Sequence, residues 1–104
     1  MKPPIPENER KRLEALRRYE ILDTAPEQMF DDIAHIASVI AQTPIASMTL
    51  VDEERQWFKA KVGLESSETP REHAFCAYTI LGDKTMIVED AAADKRFAWT
   101  SVFS

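Results

Sequence analysis

The stretch from residue 26 to residue 62 limits the possible folds more than any other part of the chain. Apolar residues recur at helical spacing from Phe30 to Ala41, the pattern of an amphipathic helix. Pro44 ends this pattern, and residues 45–51 are then apolar and β-branched, as in a buried strand. Residues 56–62 follow a polar turn and predict the returning strand of a hairpin. A helix followed by an antiparallel hairpin predicts an α+β fold.

The side-chain pattern also predicts which faces are buried. The capping-box sequence from Thr24 to Glu27 predicts a helix over 26–42. Its expected buried face comprises Phe30, Ile33, Ala34, Ala37, Ile40 and Ala41, widened by Met29 and Ile36, and its expected polar face comprises Asp31, His35, Ser38 and Gln42. On the returning strand, we expect one face with Phe58, Ala60 and Val62 and an exposed face with Trp57, Lys59 and Lys61.

The remaining elements complete a single small domain. Residues 1–7 are proline-punctuated and predicted to be extended, and residues 8–104 form the predicted domain. A first helix is expected over 8–22. A second capping box at 69–72 predicts a helix to Leu81, and 85–88 reads as a third strand. The predicted order is two N-terminal helices, a hairpin, a helix and a third strand.

The first predicted helix has a narrow apolar stripe, formed by Leu13, Leu16, Tyr19 and Leu22, of which the first three are the candidate dimer contacts. A stripe of this width rests either on the helix's own domain or on a partner helix. The second possibility makes this helix a candidate homodimer interface.

Composition excludes several classes of protein. The net charge of -5 opposes general nucleic-acid binding, and two glycines are too few for a phosphate-cradling loop. No apolar run approaches the roughly 20 residues that span a bilayer. The one cysteine fits a reducing compartment, so we expect a cytoplasmic protein with no membrane partner.

Three blocks of sequence together resemble one bacterial subfamily of GAF sensor domains, found at the N-terminus of histidine kinases and diguanylate cyclases. The blocks are residues 12–27, residues 44–64 and residues 68–97. The resemblance implies a ligand-sensing domain of a two-component or related signal-transduction protein, controlling an output module absent from this chain. Because family members continue with further strands and a closing helix, it also implies that the antiparallel sheet is incomplete here. The identity of any ligand or cofactor is left open.

In GAF domains the ligand pocket usually lies between the sheet and the segments after its first hairpin. By that resemblance, Phe75, Thr79, Phe97 and Trp99 are candidate ligand-binding residues. The alternatives are that these residues are ordinary core, and that the chain is a dimerisation module with no ligand.

The sequence offers no catalytic or metal-binding set. Asp31 and Asp32, and the acidic turn at 52–54, are more readily explained as structural carboxylates, and no nucleophile–base pair is apparent. Cys76 lacks the following histidine of bilin-binding relatives, and Tyr78 stands where this subfamily commonly has histidine. We therefore expect Cys76 to be a buried structural thiol and the chain not to be an enzyme.

Overall fold

The computed structural model describes residues 3–89 and 93–94, and within them the chain is an α+β fold with an open antiparallel sheet. This confirms the predicted fold class. The elements are α1 (Glu9–Arg18), α2 (Gln28–Ala41), β1 (Ala46–Val51), β2 (Arg55–Val62), β3 (Glu68–Pro70), a 3-10 turn (Arg71–His73) and α3 (Cys76–Thr79).

The predicted hairpin is confirmed. Strands β1 and β2 pair antiparallel from Ala46 opposite Val62 to Val51 opposite Gln56, and the Asp52 N–H closes the turn by donating to the Arg55 carbonyl at 2.8 Å. At the far end of β2, Gly63 has a φ of 75°, and a Cβ there would lie 2.2 Å from the Pro44 carbonyl oxygen. Glycine is therefore required where the chain leaves the hairpin.

The predicted third strand is wrong in position. Residues 85–88 form no strand, and Ile87 is 76% exposed. The third strand is instead β3, which pairs antiparallel with β2 so that Arg55 lies opposite Pro70. It escaped prediction because it has only three residues and no alternating apolar pattern. Among the described residues the strand order is β1-β2-β3, which leaves the sheet open.

Both predicted capping boxes are also wrong. The hydroxyl of Thr24 donates to the Ile21 carbonyl instead of accepting from the helix, and α2 starts after Glu27 without a side-chain cap. The helix expected from residue 70 to Leu81 is broken at Ala74, which is extended and buried. Helix α1 ends at Arg18 rather than residue 22, and Glu20, within the predicted range, adopts a left-handed φ of 52° that a helix cannot contain.

A bulge in β2 decides which side chains face α2. Met48 pairs with Ala60 and Thr49 pairs with Phe58, so Lys59 is the extra residue. A bulge turns two adjacent side chains to one side of a strand, which is why Lys59 and Ala60 are both buried. The expectation that Trp57 and Lys59 are exposed is wrong, since α2 covers that side of the sheet and leaves Trp57 7% exposed.

The orientation of α2 differs from the prediction as well. The helix contacts the sheet through small residues, with Ala34 3% and Ser38 8% exposed. Ser38 had been assigned to the polar face, but its hydroxyl is satisfied by the His35 carbonyl at 3.0 Å. Ile33 and Ile40, assigned to the buried face, are 48% and 77% exposed. Helical periodicity identified the apolar side chains of α2, but it did not identify the side of the helix that packs against the sheet.

Candidate functional site: the segment after the hairpin and its arginine anchor

Arg71 anchors the segment that follows β3. Its side chain is 9% exposed and forms a two-pronged ion pair with Glu9 of α1, with Nη2 3.2 Å from Oε1. The same guanidinium donates to the carbonyl oxygens of Asp52 and Glu53, each at 3.2 Å. One side chain therefore joins α1, the hairpin turn and the segment that continues into α3.

Arg12 reinforces this junction from α1. Its Nε donates to Glu9 at 2.9 Å, and its Nη1 donates to the Val51 carbonyl at the end of β1. Two arginines thus share the Glu9 carboxylate. Their hydrogen bonds, led by that of Arg71, hold the pKa of Glu9 below its usual value despite partial burial.

Arg55 organises the exposed side of the same turn. It lies 2.7 Å from Asp23, 3.0 Å from Glu68 and 3.4 Å from Asp52, so it links the loop after α1 to β3 and to the hairpin turn. Its hydrogen bonds lower the pKa of Asp23. The acidic turn is thus largely neutralised by arginines, with Glu53 also 3.4 Å from Arg17.

Four residues after Arg55 on β2, Lys59 fixes the entrance to α2. Its ammonium is 2.6 Å from the Glu27 carboxylate, and it donates at 2.7 Å to both the Thr24 hydroxyl and the Ala25 carbonyl. It also lies 5.7 Å from the centre of the Phe30 ring. A side chain that is only 1% exposed is therefore fully satisfied.

The structure describes two of the four predicted ligand-binding residues, Phe75 and Thr79. Phe75 is half-buried immediately before α3, and Thr79 is exposed, with its hydroxyl donating to the Phe75 carbonyl at 3.3 Å. The hydroxyl also lies 4.0 Å from the Met86 sulfur, so residues 75–86 fold back on themselves. Phe97 and Trp99 lie outside the described residues.

Cys76 sits at the start of α3, partly buried next to β1. Burial raises the pKa of its thiol and outweighs the opposing effect of a hydrogen bond with Thr49. An elevated pKa keeps the thiol protonated and poorly nucleophilic, which agrees with the structural role expected for it.

The residues predicted for a dimer helix are divided between the core and the surface. Leu13 is 7% exposed and packs within its own domain, Leu16 is half-buried, and Tyr19 is 75% exposed. Helix α1 therefore rests on its own domain along one edge. Its use as a dimer interface stays a prediction.

Surface clefts lie beside the arginine anchor. One is lined by Arg17, Arg55, Pro70 and the carboxylates around the turn, and a second runs between Pro3, Ile5 and Arg71. Neither cleft is lined by Phe75 or Thr79. Within residues 3–89 and 93–94, no group of three histidine, cysteine or acidic residues is arranged to hold a metal ion.

Sequence reasoning missed Arg71, Glu9 and Arg12 as a unit. Glu9 and Arg71 are 62 positions apart, and no local pattern connects residues so distant. The available signal was Arg71 itself, a charged residue next to Pro70 in a block that resembles the GAF subfamily. Nothing in periodicity could have identified its partner.

No family model matches the sequence. A cyclic di-GMP phosphodiesterase of Pseudomonas aeruginosa is 41% identical over 95 residues, which cover 91% of this chain. The chain spans only 16% of the length of that protein. The similarity therefore concerns one portion of a much longer polypeptide.

The α-helices that the structure describes run from four to 14 residues. None of those within residues 3–89 and 93–94 is both long and apolar enough to cross a bilayer.

Proposed function

We propose that this chain is a ligand-sensing regulatory domain of the GAF type, working in cyclic di-GMP signalling in the cytoplasm. The proposal combines the resemblance of its three sequence blocks with its 41% identity to part of a cyclic di-GMP phosphodiesterase. Its work is to bind a small molecule through the segment after the hairpin and to pass that event to an output module elsewhere.

The arginine anchor is the observation that carries this proposal. Arg71 lies four residues before Phe75, and it is bonded to Glu9 of α1 and to two carbonyls of the hairpin turn. A ligand that orders residues 75–79 changes the position or the dynamics of the segment that Arg71 begins. The ion pair with Glu9 then couples that change to α1, the element through which a neighbouring module would be reached.

Coupling of this kind has a thermodynamic requirement. A ligand shifts an equilibrium only by the difference between its affinities for the two states. The short 3-10 turn and the four-residue α3 suit this role because both are brief elements with few backbone hydrogen bonds to break. The rigid part of the domain, formed by β1, β2 and α2, provides the fixed platform.

The carboxylates support a binding role rather than a catalytic one. Asp23, Asp52 and Glu53 each face an arginine within 3.4 Å. Asp32 accepts a hydrogen bond from Gln28 at 2.6 Å. Carboxylates engaged in this way serve as structural ties, whereas general acid–base catalysis needs one directed into a substrate cleft.

A thermal-shift panel tests the proposal. The chain is incubated separately with cyclic di-GMP, cyclic AMP, cyclic GMP and tetrapyrroles, and its melting temperature is recorded. A ligand that binds the folded state raises the melting temperature by mass action. We expect one member to do so, and we expect Phe75→Ala and Thr79→Val to abolish the shift while Thr85→Val, an exposed threonine of the following loop, keeps it.

A second candidate function is a protein-interaction module with no ligand. It is favoured by the exposed isoleucines of α2. A flat response across the panel, together with self-association in solution, would select this function over ligand sensing. The α1 interface of Leu13, Leu16 and Tyr19 belongs to the same alternative.

A further inference from the structure

Helix α2 carries a stripe of large apolar side chains on the side away from the sheet. Met29 is 62% exposed, Ile33 48%, Ile36 54% and Ile40 77%. They succeed one another at intervals of four, three and four residues, the spacing of side chains on one face of a helix. We call these four residues the α2 stripe.

Helix α2 packs with its smaller residues facing the sheet. Ala34 and Ser38 contact the sheet side and are nearly inaccessible, while the bulkier β-branched side chains point outward. Exposed apolar patches of this kind mark interaction surfaces, because a soluble domain gains nothing from holding them in water.

We propose that the α2 stripe is a self-association surface, on which α2 of a second copy of this chain packs antiparallel. The intervals of four, three and four read the same in both directions. A twofold axis between Ile33 and Ile36 therefore places Ile33 against Ile36 of the second copy, and Met29 against Ile40. An interface that is its own complement is the requirement for a twofold dimer.

Charge favours the antiparallel arrangement over the parallel one. Asp32 flanks the α2 stripe, three residues after Met29 and four residues before Ile36, and the last turn of α2 has no basic residue. Parallel packing would bring like carboxylates together beside an apolar seam, which is unfavourable. Antiparallel packing separates the carboxylates and opposes the two helix dipoles head to tail.

The exposed area of the α2 stripe determines how strongly two copies are expected to associate. Each exposed side chain offers on the order of 100 Å², so the stripe supplies about half of the roughly 800 Å² per partner of a standard interface. Val39, which is 61% exposed beside the stripe, adds to it. An interface below the standard size predicts a weak dimer in equilibrium with the monomer.

Sedimentation equilibrium over a concentration series tests the surface. The average mass should rise from 11.9 kDa towards twice that value. Ile36→Glu should hold the chain at the monomer mass at every concentration. The matched control is His35→Glu, which adds the same charge to the same exposed helix outside the stripe and should keep the rise. Circular dichroism establishes that both variants retain the fold.

Three results would overturn the proposal: a monomer at every concentration, a dimer unaffected by Ile36→Glu, or equal losses from Ile36→Glu and His35→Glu. A dimer lost with Leu16→Glu but kept with Ile36→Glu would place the interface on α1 instead. Because this experiment uses no ligand, its outcome is independent of the thermal-shift panel.

Cross-linking tests the orientation. Chains carrying Ile33→Cys and chains carrying Ile36→Cys, both in a Cys76→Ala background, are mixed and oxidised. Antiparallel packing predicts disulfides mainly between the two kinds of chain, since disulfide formation requires close Cβ atoms. Cross-links mainly within each kind would show parallel packing and contradict the proposed geometry.

Discussion

Arg71 and Glu9 form a paired hydrogen bond across 62 residues of sequence, and both side chains are largely withdrawn from solvent, at 9% and 17% exposure. The contact closes the domain, because α1 touches the hairpin turn through this pair and through Arg12. It also joins the segment proposed to sense a ligand to the first helix of the chain.

Removing the Arg71 guanidinium should destabilise the domain strongly. Arg71→Met keeps an unbranched apolar stem, but removes the donor to the Asp52 and Glu53 carbonyls and leaves the Glu9 carboxylate with Arg12 alone. Breaking a buried ion pair from one side costs about 3–5 kcal/mol, and partial exposure reduces the expectation to about 2–4 kcal/mol. Urea unfolding followed by tryptophan fluorescence measures this loss.

The matched control is Arg10→Met. Arg10 pairs with Glu14 on the same helix, but its side chain is 93% exposed, and exposed pairs contribute about 0–1 kcal/mol. Equal losses from Arg71→Met and Arg10→Met would show that the anchor is not a stabilising contact.

The same pair predicts a pH dependence. The pKa of Glu9 is lower in the folded state than in the unfolded chain. Its contribution to stability is therefore complete above the unfolded pKa, near pH 4, and disappears as the pH falls through the folded pKa. Glu9→Gln should flatten the acid limb of the plot of unfolding free energy against pH, relative to the unmodified chain. Superimposable slopes in the two proteins would contradict the assignment.

Lys59 and Glu27 should respond unequally to substitution. Glu27→Gln leaves a buried ammonium without its counter-charge, a loss of about 1–3 kcal/mol. Lys59→Met removes the buried charge together with its desolvation cost, and returns a carboxylate that is already 58% exposed to water. We expect Lys59→Met to change the unfolding free energy by less than about 1 kcal/mol, and to cost less than Glu27→Gln. The reverse order in urea titrations would show that the pair is net stabilising.

The Cys76 thiol should react slowly with an aromatic disulfide reagent at neutral pH. Burial raises its pKa, so little thiolate is present, and the folded protein should react at least roughly tenfold more slowly than the same protein in urea.

For the same reason, and because no histidine follows Cys76, co-expression with a bilin pathway should give colourless protein. Equal rates folded and unfolded, or a coloured adduct lost in Cys76→Ala, would refute this.

The sequence predicts those parts of the fold that depend on local pattern. The hairpin and α2 are found because alternation and helical periodicity are signals over neighbouring residues, and Gly63 and Pro44 punctuate them. Strand β3 is missed because its three residues, Glu68, Thr69 and Pro70, carry no such signal, and their pairing with β2 is decided by the tertiary structure. Trp57 and Lys59 were assigned to the surface because a face that carries lysines is usually solvated, whereas α2 covers that side of the sheet.

The candidate site shows the same division. The resemblance to the GAF subfamily predicted Phe75 and Thr79 as ligand-binding residues. The contacts of Arg71 involve segments distant in sequence, so only the three-dimensional structure identifies them. The docking face of α2 followed neither from periodicity nor from composition. Ala34 and Ser38 fit against the sheet because they are small, and packing volume is not encoded in an apolar–polar pattern.

The most direct test of the central claim is the change in melting temperature on addition of the ligand panel, measured for the unmodified chain, Phe75→Ala and Arg71→Lys. Ligand sensing through the segment after the hairpin predicts a rise with one compound and its loss in Phe75→Ala. In Arg71→Lys the rise should persist, while hydrogen exchange of residues 9–18 no longer slows when that compound is bound. No rise with any compound, or a rise that is unchanged in Phe75→Ala, would contradict the account.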